Sequence, residues 1–458
     1  MTVGRRWASL ALTAFAFAGV LTGCQSSSPN APSQQQTSAS ALNAFYRDLN
    51  ALETGRREDP VVVLQIGDSH TAGDRFTGRL RAQLQSRFGD AGRGYLQPGV
   101  PFAYYNPSGV FAEQSDGWEA VGSLSRNAPG PFGLSGYRQT AVDAGEVMRL
   151  TSDTFAGFDY AWLQIAARPG GGRLFVSADG GGIGEVATDS ARPESRRVEL
   201  SIPAGTRTLQ VETLDDAPVS LAGWGVGRNQ PGVVVDAIGV GGATVSVVDN
   251  WSPDRVADEV AERDPSLVIL SFGTNEGYDN TLDLDAYRQV WRARLNQVQR
   301  WAPNASIVVI GAPDGNRRAR GCPDLDDPSD GICAPLAPTE VETYLDLLAD
   351  DSDGPDICRF HPPPNLGSVR AIQREVAASQ GVWYWDWSTV MGGACGIHNW
   401  VIASTPLAYN DHVHLRDEGY LISADAFYSA LMEGYAEWSS GPVAELPAHQ
   451  LAEAGPSH

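Results

Sequence analysis

The chain alternates between two kinds of hydrophobic pattern. Short, mostly apolar runs at Val61–Ile66 and Leu267–Phe272 predict strands buried on both faces, because a strand with one wet face shows alternation instead, and Gly232–Ile238, Ser306–Gly311 and Val382–Asp386 predict further strands. Between them, Gly73–Phe88, Asp285–Trp301, Val369–Ser379 and Glu418–Trp438 predict helices. Strands alternating with helices argue for an α/β fold, a parallel sheet covered by helices on both faces. From about Val100 to Asn229 the pattern changes. Tyr160–Ala166, Gly172–Ala178, Arg197–Ile202, Thr206–Glu212 and Val219–Trp224 predict closely spaced strands, separated by turns such as Gly170-Gly171-Gly172 and Gly180-Gly181-Gly182. That spacing predicts a β-sandwich inserted into the α/β part, or else an elaborated edge of it.

The first strand runs into Gly67-Asp68-Ser69-His70, which places a serine hydroxyl at the carboxyl edge of the sheet, where open α/β folds bind ligands. Such turns also favour Gly, Asp and Ser for conformational reasons, so this segment alone does not decide between a nucleophile and an ordinary turn. Three later segments supply what a serine nucleophile lacks: Gly239-Val240-Gly241-Gly242-Ala243-Thr244, Gly273-Thr274-Asn275-Glu276 and Asp411-His412-Val413-His414. His414 is the candidate base, since an imidazole accepts and returns a proton near neutral pH. Asp411, three residues earlier, would orient it and stabilise the imidazolium. His412 is the competing base, but adjacency to Asp411 points it elsewhere. For the oxyanion, the donors are the backbone N–H of Ser69, the backbone N–H of Gly242 and the side-chain amide of Asn275.

In order and content these four blocks resemble the SGNH branch of the GDSL hydrolases, with marker residues at Ser69, Gly242, Asn275 and His414. The family form carries Leu or a similar residue after the serine; His70 stands there in this chain. That variant resembles the bacterial peptidoglycan O-acetylesterases, which carry a carbohydrate-binding-module-like domain between their first and second motifs. The resemblance implies a serine esterase that removes O-acetyl groups from an envelope glycan, peptidoglycan first, through Ser69, His414 and Asp411. Alternatives are another acetylated polysaccharide, a lysophospholipid, or a glycan-binding lipoprotein without turnover. No cofactor is implied. Asp68, His70, His412 and His414 do not show the three-ligand spacing of a hydrolytic zinc site, so no metal is assigned.

At the amino terminus, Arg5 and Arg6 precede an apolar stretch, Trp7–Val20, and then Leu21-Thr22-Gly23-Cys24. This matches a secretory signal and resembles a bacterial lipoprotein cleavage box, which makes Cys24 the lipidated first residue of the mature chain. Gln25 after it implies, in Gram-negative logic, outer-membrane retention facing the periplasm. The Ser-, Gln- and Pro-rich segment that follows predicts a tether. In an exported chain the remaining Cys322, Cys333, Cys358 and Cys395 are expected to pair; loop closure favours Cys322 with Cys333 and Cys358 with Cys395, out of three possible connectivities.

The predicted organisation is therefore a signal at 1–23, a tether at 24–54, the hydrolase part at 55–99 and 230–440, the insertion at 100–229 and a disordered tail at 441–458. Composition adds one exclusion. A formal charge of −22, made more negative by removal of Arg5 and Arg6, disfavours nucleic acid and anionic membrane surfaces as partners, leaving membrane contact to the lipid on Cys24. The oligomeric state is not encoded in any of these patterns.

Overall fold

The computed structural model describes residues 38–319, 322–349 and 357–441. The signal segment, Cys24 and the expected tail from 442 onward lie outside the described residues. Five parallel strands form the central sheet: β1 (Val61–Gly67), β2 (Val233–Gly239), β3 (Leu267–Ser271), β4 (Ser306–Gly311) and β5 (Trp383–Asp386), in the order β2-β1-β3-β4-β5. Every residue of β1, β3 and β4 is buried, which is why these strands read as mostly apolar runs without alternation.

Successive side chains of each strand enter opposite cores. Val61 and Val63 of β1 and Leu267 and Ile269 of β3 pack with helices α1 (Asn43–Glu53), α2 (Arg75–Phe88) and α6 (Asp417–Ser440). Leu64, Ile66, Val268 and Leu270 pack on the other face with α3 (Pro253–Arg263), α4 (Leu284–Trp301) and α5 (Leu366–Ser379). The start of α4 is fixed locally, with the Asp283 carboxylate accepting from the N–H groups of Asp285 and Ala286.

Helix α1 corrects the expectation of a tether running to residue 54. Phe45, Tyr46 and Leu49 on one face of α1 are fully buried, and the Tyr46 hydroxyl donates to the Leu431 carbonyl of α6 at 2.9 Å. Three apolar side chains per two turns hold this segment against the domain even though polar residues surround them in the sequence.

Between β1 and β2 the chain builds two antiparallel sheets. One orders strands 194–200, 160–167, 219–227, 137–141 and 119–122, with Gly94–Leu96 paired beside 219–227; the other orders 110–114, 147–152, 208–213, 173–178 and 181–187. Leu163, Ile165 and Leu221 of the first interleave with Leu150, Val176, Leu209 and Val211 of the second in one core, a sandwich. The strand at 94–96 lies before the predicted boundary at 100. Tyr95, Phe132 and Trp162 also join the core that holds Leu64 and Ile238, so the insertion is packed onto the parallel sheet rather than hung from it.

The disulfides differ from the expected pairing. Cys322 bonds Cys358 and Cys333 bonds Cys395, with Cα separations of 5.3 and 5.7 Å. Nearest-in-sequence loop closure loses here to backbone pairing. Arg317 and His361 exchange two N–H to carbonyl bonds of 3.0 Å, and Cys333 bridges Phe360, which brings 317–319 and Cys333 alongside 358–361.

Candidate active site

Strand register sets the site. Gly67 is level with Gly239 on one side and Ser271 on the other, so β1, β2 and β3 end together at one edge of the sheet. Ser69, Gly242 and Asn275 follow those ends within two to four residues, which gathers them at that edge. Gly67 is required there, because a Cβ would lie 2.6 Å from the Ser271 carbonyl and overlap Thr71.

Ser69 begins a single helical turn, Ser69–Ala72, capped by Asp68, whose Oδ1 accepts from the His70 N–H at 3.0 Å. Asp68 is 1 % exposed, and burial pushes its carboxyl up to about 6. It is a turn-forming residue. His70 is also buried; its Nδ1 lies 2.9 Å from the Tyr420 hydroxyl, and burial brings its pKa down to about 3, so the ring is neutral at working pH.

The Ser69 Oγ lies 3.1 Å from His414 Nε2, and His414 Nδ1 lies 2.8 Å from Asp411 Oδ2. Asp411 Oδ1 additionally accepts from the N–H groups of Val413 at 2.9 Å and His414 at 3.0 Å. Burial alone would raise the Asp411 carboxyl, but the His414 ring and these two N–H groups bring it down to about 2. Hydrogen bonding to Asp411 raises the His414 pKa above its ordinary value, against the opposing effect of burial. The tautomer consistent with both contacts carries the proton on Nδ1 and leaves Nε2 to accept from Ser69.

His412 is excluded as the base by position. Its φ is +56°, its Nε2 lies 3.0 Å from His398 Nδ1, its Nδ1 lies 3.1 Å from the Asn410 carbonyl, and its ring stacks on Phe360 with centroids 4.0 Å apart. It serves the site indirectly. Its carbonyl accepts from the Asn316 N–H at 3.0 Å, and His398 sits on the helix Gly396–Val401 that follows disulfide-bonded Cys395, so the bridge, His398 and His412 anchor the loop carrying His414. Among the described residues no group of three or more His, Cys, Asp or Glu is placed to hold a metal ion.

Gly242 has φ +74°, a backbone state that favours glycine. Its N–H and that of Ser69 have no acceptor among the described residues, leaving both available to a ligand oxygen. Asn275 Nδ2 donates to the Ala243 carbonyl at 2.8 Å, which spends one amide proton on holding the Gly242 loop and leaves the second. Glu276, quoted in its sequence block but given no role there, completes that brace. It is 2 % exposed and its Oε1 accepts from the Val245 N–H at 2.9 Å. Adjacency to Asn275 was the available signal.

The GDSL-like lipase/acylhydrolase family model matches residues 201–422, which include Gly242, Asn275, Asp411 and His414 and leave Ser69 outside. No curated protein matches the chain. Among solved structures, a peptidoglycan O-acetylesterase is similar at TM-score 0.68 and 26% identity over 88% of this chain and 99% of that one. A family two carbohydrate esterase from Clostridium thermocellum gives TM-score 0.28 and 12% identity over 70% and 100% of the two chains, and an acetyl xylan esterase 0.28 and 15% over 44% and 82%. The last two carry no argument at that level. With the parallel sheet, the ordered motif blocks and the family-model match over residues 201–422 together, the chain is a carboxylic ester hydrolase with an SGNH-type fold, peptidoglycan O-acetylesterase-like in structure.

Proposed function

We propose that this chain removes O-acetyl groups from an envelope glycan, peptidoglycan in first place, with Ser69 as nucleophile, His414 as base and acid, Asp411 as its orienting carboxylate, and Ser69, Gly242 and Asn275 as oxyanion donors. The relay of 3.1 Å from Ser69 to His414 and 2.8 Å from His414 to Asp411 carries this reading. As the Ser69 Oγ bonds to the acetyl carbon, its proton passes to His414 Nε2 and the carbonyl oxygen becomes an oxyanion facing the three donors. Collapse breaks the bond to the sugar oxygen, which takes the proton from Nε2. Water then attacks the acetyl-enzyme, gives a proton to Nε2, and acetate leaves as that proton returns to Ser69.

Two observations support a glycan over a lipid. The solved peptidoglycan O-acetylesterase shares the architecture over 88% of this chain. The His414 and Asp411 side chains are 43% and 47% exposed, an open rim suited to a polymer, whereas a long acyl chain needs a deep apolar slot. Export and anchoring through lipidated Cys24, facing the periplasm, belong to the same proposal and rest on the amino-terminal sequence.

The test is acetate release from O-acetylated peptidoglycan, beside acetylated xylan and fatty-acid release from a lysophospholipid. Peptidoglycan is expected to be the preferred substrate, and Ser69→Ala to reduce turnover by roughly three orders of magnitude or more. Preference for the lysophospholipid, or Ser69→Ala retaining aryl acetate hydrolysis, overturns the proposal.

A further inference from the structure

The stretch between β1 and β2 does more than build the sandwich, because it returns side chains to the oxyanion loop. Tyr137 packs on the core shared with Val240, Phe102 packs on Tyr137 with centroids 5.5 Å apart, and Tyr104 packs on Phe102 at 4.6 Å. Tyr104 is the outermost ring of this stack. It is 54% exposed, yet its hydroxyl fills the space that a side chain on Gly241 would need. On the neighbouring residue, Leu124 Cδ2 lies 3.7 Å from where a Cβ of Gly242 would sit, and Leu124 is 53% exposed.

Leu124 is held there by its neighbour. The Ser123 carbonyl accepts from Asn250 Nδ2 at 2.7 Å, its Oγ accepts from Trp251 Nε1 at 2.8 Å, and its N–H donates to the Gly136 carbonyl at 2.9 Å. The Tyr104 ring, with its hydroxyl against Gly241, and the Leu124 side chain against Gly242 therefore border this loop, each about half exposed. Burial, and after it the Asp68 carboxylate, raise the Tyr104 pKa above its ordinary value, so the ring stays uncharged and keeps an O–H at its rim.

Resting on the esterase reading above, we propose that Tyr104, with Leu124 beside it, is a substrate-binding wall that takes the face of the sugar ring carrying the acetyl ester. A pyranose presents a face of C–H groups that packs on an aromatic ring, while its hydroxyls reach the rim, and Tyr offers both at low conformational cost. The insertion then completes the active site, and glycan preference is set within reach of the oxyanion loop.

The experiment compares kcat/KM on O-acetylated peptidoglycan and on acetylated xylo-oligosaccharide with kcat/KM on an aryl acetate, for Tyr104→Ala, Tyr104→Phe and Phe155→Ala. Phe155 is 91% exposed and forms no part of the site, so Phe155→Ala controls for a surface aromatic. In Tyr104→Ala the ratio of glycan to aryl acetate activity is expected to fall about tenfold, through KM, the scale of one aromatic contact. Tyr104→Phe should keep the ratio within about twofold, because the stacking face remains. An unchanged ratio in Tyr104→Ala overturns the wall, as does an equal fall in Phe155→Ala. If the wild type acts on xylo-oligosaccharide and not on peptidoglycan, the peptidoglycan reading fails while the xylan ratio still judges Tyr104; no activity on either glycan overturns both.

Discussion

Asn275 is proposed to hold two tasks with its two amide protons; alanine removes both, and turnover and stability read the two losses separately. One proton braces the Gly242 loop through the Ala243 carbonyl at 2.8 Å, and the other is the side-chain donor assigned to the oxyanion. Loss of a single oxyanion donor costs about 2.7–4 kcal/mol of transition-state stabilisation. In a rim as open as this one the lower end applies, so kcat should fall about 10²-fold while KM changes little, because the ground-state carbonyl bears less charge than the oxyanion. The lost brace costs about 1 kcal/mol, as one neutral hydrogen bond. The loop does not come free, since Glu276 still holds the Val245 N–H at 2.9 Å. The assay is steady-state aryl acetate hydrolysis beside a thermal melt. A kcat within about fivefold of wild type, with an intact melt, removes Asn275 from the oxyanion hole, since a lost donor costs far more than that. A collapsed melt would instead show that the Ala243 bond carries the loop, contrary to the role given to Glu276.

Two further outcomes follow from the same geometry. His414 must be neutral to accept the Ser69 proton, and its pKa is raised by the Asp411 hydrogen bond, so kcat/KM should fall on acidification with a midpoint above 6.5; a pH-rate profile centred below 6.5 contradicts the pairing, and Asp411→Asn should move the acid limb downward. Peptide mapping without reduction should recover Cys322 with Cys358 and Cys333 with Cys395, and breaking the second bridge, which spans 62 residues, should cost about 4 kcal/mol by loop entropy, read from a denaturant midpoint.

What the sequence revealed followed burial. Val61–Gly67 and Leu267–Ser271 are buried at every position, and two-sided burial leaves an apolar run that needs no neighbour to be recognised. The gathering of Ser69, Gly242, Asn275 and His414 was legible because each block sits just beyond such a run or just before a long helix. Helix α1 was hidden, because Phe45, Tyr46 and Leu49 have meaning only against α6, some 385 residues away at the Tyr46 contact. The cysteine pairing was hidden for a related reason, being settled by backbone bonds between Arg317 and His361. Tyr104 reads as one more aromatic in a β-rich stretch until the chain is folded back onto Gly241.

The partners Ser69 and His414 are 345 residues apart in the chain, one at the end of the first parallel strand and the other just before the last long helix. A polypeptide cut anywhere between them leaves one half of the relay without the other. On the roles proposed for Ser69 and His414, hydrolysis is a report on assembly: a synthesis fragment that lacks residues from Asp411 onward presents a serine with no base, and activity arises only when both ends of the fold have met. Whichever ester it cleaves, the enzyme is in this way silent until it is whole.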